Sequence, residues 1–401
     1  MMLYLVTARG FSSRAMTRKN HEVASCFKRV TDTDVICGKD IYADKGEGGG
    51  DTLSTASYYS KWYRQGKLMQ SLSQSYAEIK NIIHNFRLYY FIKKQDKKKN
   101  YTLICERSTN LGWAGILFGK THHIPTILEW KDHLIKDYWS FFKPFAIFIE
   151  RWKNKNADFI FVESQVLKKQ LINEGVDERK IYVAYNAVNP DEFSRDKKAR
   201  SEVRKELHIA EDDLVVGYVG SYAFYHDSIR MLKAAKILKG KGYEHIKWLL
   251  IGDGKDKAEC KNFAKNNSLL ENTVIMLPFQ SKERIPHYLS AMDVTILPGS
   301  TDIICPIKVM EYMAAQSVVL VPDYDCNREI INGTNGLLFK SRNENSIADA
   351  LIKVYGDLAI REQLGREARK TIIQTLTWDK TYGACLKKVI AKINGKNENS
   401  N

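Results

Sequence analysis

Lys308 and Glu311 are spaced to bind an anion and a hydroxyl group side by side. They belong to the segment P-I-K-V-M-E-Y-M-A-A, which begins at Pro306. Proline lacks an N–H and its φ suits the first turn of a helix, so the segment predicts a helix that starts near Pro306. The free N–H groups of a helix start favour anions, Lys308 adds a positive charge, and Glu311 can accept hydrogen bonds from hydroxyl groups. This chemistry fits a diphosphate joined to a ribose.

The predicted helix lies between two strand patterns. An apolar run ends at residues 295–297, and Pro298 and Gly299 interrupt it. Residues 307–315 are good helix formers, and the β-branched run 318–321 resembles a short buried strand. The region therefore predicts a strand, a loop, a helix and a second strand.

Other strand patterns of the second half also end in glycine or proline. They cover residues 214–219, 247–251, 273–277 and 294–297. The residues that follow them are Gly220-Ser221, Gly252-Asp253-Gly254, Pro278-Phe279 and Pro298-Gly299. Glycine there permits either close approach of a ligand or simply a tight turn, and Asp253 is as suited to capping the next helix. Ligands bind beyond the carboxyl ends of parallel strands, so we expect these turns to share one edge.

Length and composition predict a two-domain protein of the cytosol. A chain of 401 residues with 44% apolar content exceeds the size of one ordinary domain. No apolar run reaches the length of a membrane span, and residues 1–7 are too short and too quickly polar for a signal peptide. The seven cysteines contain no C-x-x-C pair, so neither a disulfide framework nor a zinc site is indicated.

The positive charge is concentrated in the first half. Residues 1–200 hold 34 Lys and Arg against 22 Asp and Glu, whereas residues 201–401 hold 28 against 25. A basic first half suits nucleic acid, an anionic membrane surface or a lipid diphosphate, and charge alone does not choose among them.

Alternating strand and helix patterns predict two parallel sheets. In the first half, short apolar runs alternate with helical stretches, which favours a parallel sheet with helices on both faces. We predict a first domain of residues 1–193, a second of residues 194–377, and a final helix, 378–393, that packs back on the first. Lys45–Asp51 is glycine-rich and Lys93–Asn100 is mostly basic, so both are predicted to be exposed loops.

An ordered series of motifs resembles glycosyltransferase family 4. The motifs include C-E-R-S-T-N at 105–110, H-I-P-T-I-L-E at 123–129, N-A-D-F-I-F-V-E-S at 156–164, V-G-Y-V-G-S-Y-A-F-Y-H at 216–226, L-L-I-G-D-G at 249–254 and P-I-K-V-M-E-Y-M-A-A. Their family order over nearly the whole chain makes chance an unsatisfactory explanation. The resemblance implies the α/β GT-B fold, in which two Rossmann-like doubly wound domains face each other across a cleft. It also implies a retaining transferase that uses a nucleoside diphosphate sugar.

The resemblance implies a donor site in the second domain. Glu311 would bind the ribose, although a glutamate is also ordinary near a helix start. The residues implied to contact the donor are Gly220, Ser221, Gly252, Gly254, Phe279, Asp302, Ile303, Pro306, Ile307, Lys308 and Glu311.

Two positions depart from the family pattern. Ile303 occupies the place of the first glutamate of a Glu-x7-Glu pair, with Asp302 beside it. Ser221 and His226 occupy the places of an arginine and a lysine that neutralise the departing diphosphate in relatives. His226 either supplies part of that charge or is a polar residue near the surface at a helix start. Lys308 would then carry more of the neutralisation.

The acceptor is expected in the first domain. The implied acceptor-binding residues are Arg9, Gly10, Arg107, Lys131 and His133. Lys131 stands where relatives place a residue that faces the transferred sugar, and the alternative is a solvated charge. The residues expected to take part in catalysis are Lys308, His226, Glu311 and Lys131, and no metal or cofactor is expected.

The segment 136–155 mixes aromatic residues with cations. Its aromatic residues include Trp139, Phe141, Phe145 and Phe148. It suits either a bilayer surface or a helix packed in the core, and Pro144 interrupts a single amphipathic face. The basic first domain favours membrane contact at the cytoplasmic face.

The sequence thus predicts a retaining glycosyltransferase of bacterial surface polysaccharide synthesis. Its partners would be a nucleotide-sugar donor, a glycan or lipid-linked acceptor and an anionic membrane surface, but no nucleic acid. Two alternatives stay open: a nucleotide-sugar 2-epimerase, and a catalytically degenerate binding or scaffold subunit suggested by Ser221 and Ile303.

Overall fold

The protein folds into two compact units, each built on a parallel sheet. The structure is a computed structural model that describes residues 1–7, 17–38, 41, 67–131, 140–270 and 272–398. Unit 1 comprises residues 1–184 and 382–401, and unit 2 comprises residues 185–381. The segment 185–193, assigned from the sequence to the first domain, belongs to unit 2 because Val188 and Phe193 are buried in the core of that unit.

Unit 1 contains a six-stranded sheet in the order β2-β1-β3-β4-β5-β6, with all neighbouring strands parallel. The strands are β1 (Met2–Val6), β2 (Thr33–Cys37), β3 (Leu103–Arg107), β4 (Thr126–Glu129), β5 (Phe159–Val162) and β6 (Ile181–Val183). The helices are α1 (Arg18–Val30), α2 (Lys67–Lys99), α3 (Ala114–His122), α4 (Lys143–Asn156) and α5 (Gln165–Asn173). β1, β3, β4 and β5 are buried throughout, as expected for strands with helices on both faces.

The sequence expectation for Lys93–Asn100 is wrong. These residues do not form a loop, because α2 continues to Lys99 and ends where Asn100 adopts a φ of 52°. Leu88 and Ile92 hold this part of α2 in the core, and the lysines of its last turn interact favourably with the carboxyl end of the helix.

The structure agrees with the expectation that no single amphipathic face crosses Pro144, because α4 begins at Lys143. Pro144 lies in the first turn of α4, where its missing N–H costs no intrahelical hydrogen bond. Residues 132–139, including Trp139, lie outside the described residues.

Unit 2 contains a second six-stranded parallel sheet in the order β12-β11-β10-β7-β8-β9. Its strands are β7 (Leu214–Val219), β8 (Ile246–Ile251), β9 (Val274–Leu277), β10 (Val294–Ile296), β11 (Val318–Pro322) and β12 (Leu337–Phe339). Its helices are α6 (Lys197–Glu206), α7 (Ile229–Gly240), α8 (Lys257–Asn266), α9 (Ile285–Ala291), α10 (Ile307–Ala314), α11 (Asp325–Arg328), α12 (Glu344–Tyr355) and α13 (Leu358–Thr375). The strand β12 was not predicted.

Apolar side chains cover both faces of the second sheet. Val216, Trp248 and Leu320 belong to the core on one face, and Val215, Leu249 and Val319 belong to the core on the other. Since successive side chains of a strand point to opposite faces, this alternation along β7, β8 and β11 requires a helical layer on each side.

The C-terminal segment returns to unit 1. A π-helical turn spans Asp379–Gly383 and leads into α14 (Ala384–Glu398). Tyr382 is buried in unit 1, where its ring lies 6.5 Å from that of Phe161. Among the described residues, no helix combines the length and the apolar character that a bilayer crossing requires.

Candidate functional site

The strand order of unit 2 reverses between β7 and β10. From β7 the chain builds outward through β8 and β9, and from β10 it builds in the other direction through β11 and β12. The loops after β7 and β10 therefore diverge, and such a reversal is where open parallel sheets bind ligands. The residues that follow these two strands are 220–226 and 297–306, so they adjoin this position.

His226 joins the two loops and contacts Lys308. Its Nδ1 lies 3.1 Å from the carbonyl oxygen of Gly299, and its Nε2 lies 3.3 Å from Nζ of Lys308. A carbonyl can only accept, so we assign the ring proton to Nδ1 and leave Nε2 to accept from the ammonium group. The ring thereby holds the cation against the start of α10.

The structure corrects the predicted charge of His226. The side chain is buried, not near the surface, and burial together with the charge of Lys308 lowers the pKa of His226 to about 4. The imidazole is therefore neutral at pH 7 in this structure and does not supply the positive charge expected from the sequence. Its role is to accept a hydrogen bond from Lys308.

Lys308 carries the positive charge of this cluster. Burial lowers the pKa of Lys308 to about 8, although Glu311 acts in the opposite direction. The ammonium form still predominates at pH 7, and Nζ lies 5.0 Å from the centre of the Tyr218 ring. An incoming anion stabilises a partly desolvated cation of this kind more than it stabilises a cation exposed to water.

The glycine turns pack closely against one another. A Cβ on Gly220 would lie 2.4 Å from Nζ of Lys308, so the absence of a side chain makes room for the cation. Gly252 has a φ of +142°, and a Cβ there would lie 1.9 Å from the carbonyl oxygen of Gly220. Gly254, with a φ of +157°, abuts the backbone of Tyr222. The latter two glycines are thus explained by turn packing alone.

Helix α10 presents Lys308 and Glu311 on one face and anchors the opposite face in the core. Val309, Met310 and Met313 are buried, whereas Lys308 and Glu311 are partly exposed. The hydroxyl of Tyr312 accepts from the amide of Val219 at 2.9 Å and donates to its carbonyl at 3.0 Å. This pair of hydrogen bonds holds α10 against the end of β7. Because residues three apart share a helix face, Glu311 lies one turn beyond Lys308.

The other residues of the predicted donor site differ in exposure. Ser221, Phe279 and Asp302 are exposed, whereas Ile303, Pro306 and Ile307 are partly buried. Pro306 is the N-cap of α10, so the helix begins where the sequence predicted.

Asp253 does not cap α8. Its carboxylate accepts from the amide of Phe279 at 2.6 Å and from Lys257 Nζ at 2.7 Å. The Asp253 side chain therefore ties two of the loops at this edge together. The N-cap of α8 is Asp256, which makes no capping hydrogen bond with its side chain.

Sequence reasoning missed Asn186. Its amide donates to the carbonyl oxygen of Cys305 at 3.0 Å, and its side chain is buried. The bond fixes the residue before Pro306, and hence the start of α10. Asn186 lies in the segment K-I-Y-V-A-Y-N-A-V-N at 180–189, which also resembles a motif of glycosyltransferase family 4 and was the signal that could have identified it.

Unit 1 has a cavity of about 300 Å³ at its own reversal of strand order. The reversal lies between β1 and β3, and residues from the ends of both strands line the cavity. The lining residues are Val6, Thr7, Thr17, Lys19, Asn20, Arg107, Ser108, Thr109 and Lys131. The cavity thus combines three cations with four hydroxyl groups.

The cations of the cavity are held by buried carboxylates. Lys19 lies 2.6 Å and Lys131 lies 3.5 Å from Oε1 of Glu163, and Arg107 forms a short ion pair with Glu129. Burial alone would raise the pKa of Glu163, but the three cations lower it well below its usual range. Burial lowers the pKa of Lys19 to about 8.

The cavity contains both predicted and unpredicted residues of the acceptor site. Asn20 is 1% exposed, and its Oδ1 has no hydrogen-bond partner in the described part of the chain. Arg107 and Lys131 were predicted from the sequence, whereas Lys19 and Asn20 were missed because α1 carries no recognisable motif. Arg9, Gly10 and His133 lie outside the described residues.

Two family profiles match the chain, one in each half. The profile of glycosyltransferase family 4 matches residues 68–192, and that of glycosyl transferases group 1 matches residues 199–371. The second match contains the loops after β7 and β10 together with α10.

Two related glycosyltransferases have low sequence identity to this chain and match only part of it. A glycosyltransferase of Methanocaldococcus jannaschii, MJ1607, is 24% identical over 225 residues, which are 55% of this chain and 56% of that protein. The capsular polysaccharide biosynthesis glycosyltransferase CapM of Staphylococcus aureus is 23% identical over 238 residues, which are 58% of this chain and 61% of CapM. The matches thus span little more than half of these relatives.

Solved structures resemble the chain over nearly its whole length. Anabaena Alr3699/HepE, crystallised with UDP, has a TM-score of 0.72 at 14% identity and covers 97% of this chain and 99% of that chain. A glycosyltransferase from Rickettsia africae has a TM-score of 0.69 at 16% identity, with 96% of each chain covered. With two parallel six-stranded sheets and family profiles over both halves, the chain belongs to glycosyltransferase family 4 and has the two-domain α/β GT-B fold.

Proposed function

We propose that the protein is a retaining glycosyltransferase that moves a sugar from a nucleoside diphosphate sugar to a glycan or lipid-linked acceptor. The observation that carries the proposal is the cluster of Lys308, His226 and Gly220 at the strand reversal of unit 2. A partly desolvated ammonium group beside a helix start suits the diphosphate of such a donor.

The donor would lie along the start of α10. Its diphosphate would receive hydrogen bonds from Lys308 and from amide groups of the helix start, and Glu311 would accept from the ribose hydroxyls. HepE, which resembles this chain in fold, was crystallised with UDP and with UDP-glucose, and this supports a nucleotide-sugar donor.

The acceptor would lie in the cavity of unit 1. Lys19, Arg107 and Lys131 favour an acceptor that carries a negatively charged group, and the surrounding hydroxyl groups suit a sugar. Lys131 is the most exposed of the three cations and would contact the acceptor directly.

The proposed reaction uses the leaving group as the base. The acceptor oxygen would bond to the anomeric carbon on the face from which the diphosphate oxygen departs, and the acceptor proton would pass to that oxygen. Lys308 would stabilise the charge that develops on the diphosphate, and the scheme requires neither a protein nucleophile nor a metal.

The configuration of the product tests this scheme. Proton NMR of the reaction should give a product with the same anomeric configuration as the donor. An inverted product would overturn the retaining mechanism, and conversion of the donor without any acceptor would indicate an epimerase instead.

The ribose contact tests the donor site independently of turnover. Glu311→Ala should weaken nucleotide-sugar binding about tenfold or more, because a ribose hydroxyl loses its charged acceptor. A thermal-shift titration with UDP-glucose and other nucleoside diphosphate sugars measures this, and Glu362→Ala, on the exposed surface of α13, is the control. If no donor raises the melting temperature of the wild type, a degenerate scaffold subunit is the better assignment.

We also propose a role in surface polysaccharide synthesis on the cytoplasmic face of a membrane. The resemblance to CapM supports this role, since that relative is a capsular polysaccharide biosynthesis glycosyltransferase. Accumulation of an undecorated lipid-linked precursor after deletion of the gene would support it, and an unchanged cell-surface glycan would contradict it.

A further inference from the structure

A row of large apolar side chains is exposed along α2. Its members are Met69, Leu72, Tyr76, Ile79, Ile83, Phe86 and Tyr90, which we call the α2 stripe. Their spacing alternates between three and four residues, so all seven lie on one side of the helix over about 30 Å. Tyr76, Phe86 and Tyr90 are 59%, 55% and 67% exposed, far more than apolar side chains of a packed helix.

The face of α2 that holds the helix on unit 1 is a different one. Ser75, Glu78, Asn85, Leu88 and Ile92 are buried on it. These residues hold the helix in place. Of the α2 stripe, Phe86 also contacts unit 1, where its ring lies 5.1 Å from that of Trp113. Isolated exposed apolar residues are ordinary, but a continuous row of seven marks an interaction surface.

Helix α4 extends the apolar surface. Phe141, just before α4, and Phe145 and Phe148 within it are exposed. Phe141 lies beside α2, because its amide donates to Oγ of Ser75 at 3.1 Å. Ser75 neighbours Tyr76 and lies one turn from Leu72 and Ile79. We call the α2 stripe together with these three phenylalanines the docking face.

Positive charges follow the α2 stripe on one side. Lys80, Arg87 and Lys94 recur every seven residues, and Nζ of Lys80 lies 3.9 Å from the centre of the Tyr76 ring. The acidic residues of α2 are Glu78, which is buried, and Asp96, which lies beyond the end of the stripe. A basic edge beside an aromatic and aliphatic face is the pattern of helices that bind anionic bilayer surfaces.

The same charges disfavour pairing with a second copy of the chain. In an antiparallel helix pair along the stripe, Lys80, Arg87 and Lys94 would face the same cations of the other copy. In a parallel pair they would face Ser75, Ile82 and Tyr89, none of which is acidic. An anionic lipid surface supplies the opposite charge that a second copy lacks at these positions.

We propose that the docking face binds the surface of a bilayer containing anionic lipids. The apolar side chains of α2 and α4 enter the boundary between headgroups and acyl chains, and Lys80, Arg87 and Lys94 contact the headgroups. This proposal does not depend on the proposed catalytic activity, because binding requires neither donor nor acceptor.

Sedimentation with vesicles tests the proposal on the full chain. Wild-type protein should bind vesicles of equal parts phosphatidylglycerol and phosphatidylcholine more tightly than vesicles of phosphatidylcholine alone, and added salt should weaken the binding. The triple variant Ile79→Ser, Ile83→Ser, Phe86→Ser should lose about tenfold or more of the affinity for the anionic vesicles. The control Leu358→Ser, Ile360→Ser, Ile373→Ser removes equally exposed apolar residues from unit 2 and should bind like the wild type.

A charge variant separates lipid binding from simple hydrophobic adhesion. Lys80→Gln with Lys94→Gln should weaken binding to the anionic vesicles about fivefold for each cation removed. Lys261→Gln with Lys265→Gln, on α8 of unit 2, removes the same charge and should leave binding unchanged. If the double variant at Lys261 and Lys265 lost as much vesicle affinity as the one at Lys80 and Lys94, the docking face would not be the membrane contact.

Self-association is the competing outcome. Analytical ultracentrifugation without vesicles should show no change in mass between the wild type and the apolar triple variant. A dimer that dissociates in the triple variant, together with unchanged vesicle binding, would show that the docking face joins two copies. Unchanged circular dichroism and melting temperature of the variants exclude misfolding as the cause.

Discussion

Nζ of Lys308 lies 3.3 Å from Nε2 of His226, and the two side chains come from different elements, the first turn of α10 and the loop after β7. Histidine accepts from lysine here because its other ring nitrogen faces the carbonyl oxygen of Gly299. The structure thus separates two roles that the sequence had merged: Lys308 carries charge, and His226 positions it.

Activity should fall in alkaline solution as Lys308 loses its proton. The pKa of Lys308 is about 8, and the proposed chemistry needs the ammonium form, so kcat/KM should decrease as the pH rises through about 8. Lys308→Arg remains charged throughout this range and should not show the decrease, even at lower activity. Lys308→Gln should reduce kcat about 100-fold below pH 8, and by less at higher pH, where the wild-type lysine has itself lost its proton. An alkaline decrease that persists in Lys308→Arg would assign it to another group.

Acid should destabilise the protein partly through His226. The pKa of His226 is about 4 in the folded chain and about 6.5 in an unfolded one, so the unfolded state binds more protons between these values. The contribution of the neutral His226 to the free energy of unfolding is therefore complete above about pH 6.5. It is lost as the pH falls towards 4, by up to about 3 kcal/mol. Urea unfolding at pH 7.5 and pH 5 should show a smaller loss in His226→Gln than in the wild type.

The exposed His287 is the control for this comparison. His287→Gln should show the same pH dependence of unfolding as the wild type. An identical loss of stability in His226→Gln and the wild type would contradict the burial of a neutral imidazole.

Gly220→Ala should displace Lys308 without unfolding unit 2. The new Cβ would lie 2.4 Å from Nζ of Lys308 and 2.7 Å from the hydroxyl of Tyr218, and the lysine is the more movable of the two. We expect about a tenfold loss of kcat/KM and about 1 kcal/mol of destabilisation. Gly240→Ala, where nothing lies within 4 Å of the added methyl, should change neither quantity adversely. Full activity in Gly220→Ala would show that the exact place of Lys308 does not matter.

Glu129→Gln should destabilise unit 1 strongly. Glu129 is 1% exposed and accepts from Arg107, from the Tyr4 hydroxyl at 2.9 Å and from the Tyr382 hydroxyl at 3.3 Å. Its neutralisation leaves Arg107 buried without its paired carboxylate, which costs about 3–5 kcal/mol. The exposed carboxylate of Glu178, paired with Lys168, is the control, and Glu178→Gln should cost less than about 1 kcal/mol by urea unfolding. Similar costs in both variants would contradict the structural role of Glu129.

Local sequence determined the elements and the edge that carries the site. Pro306 marks the start of α10, glycine or proline follows β7, β8, β9 and β10, and the apolar runs are the strands, because periodicity and turn residues act over a few neighbouring positions. The family motifs likewise indicated the fold and the position of Glu311 within α10.

Only the tertiary structure decided the charges and the surfaces. His226 is neutral because folding buries it beside Lys308, and Lys19 belongs to the cavity because folding brings the start of α1 together with the ends of β1 and β3. Local pattern placed Lys93–Asn100 in a loop and left the exposure of α2 undetermined. Burial and charge pairing depend on residues far apart in the chain, so a linear pattern does not contain them.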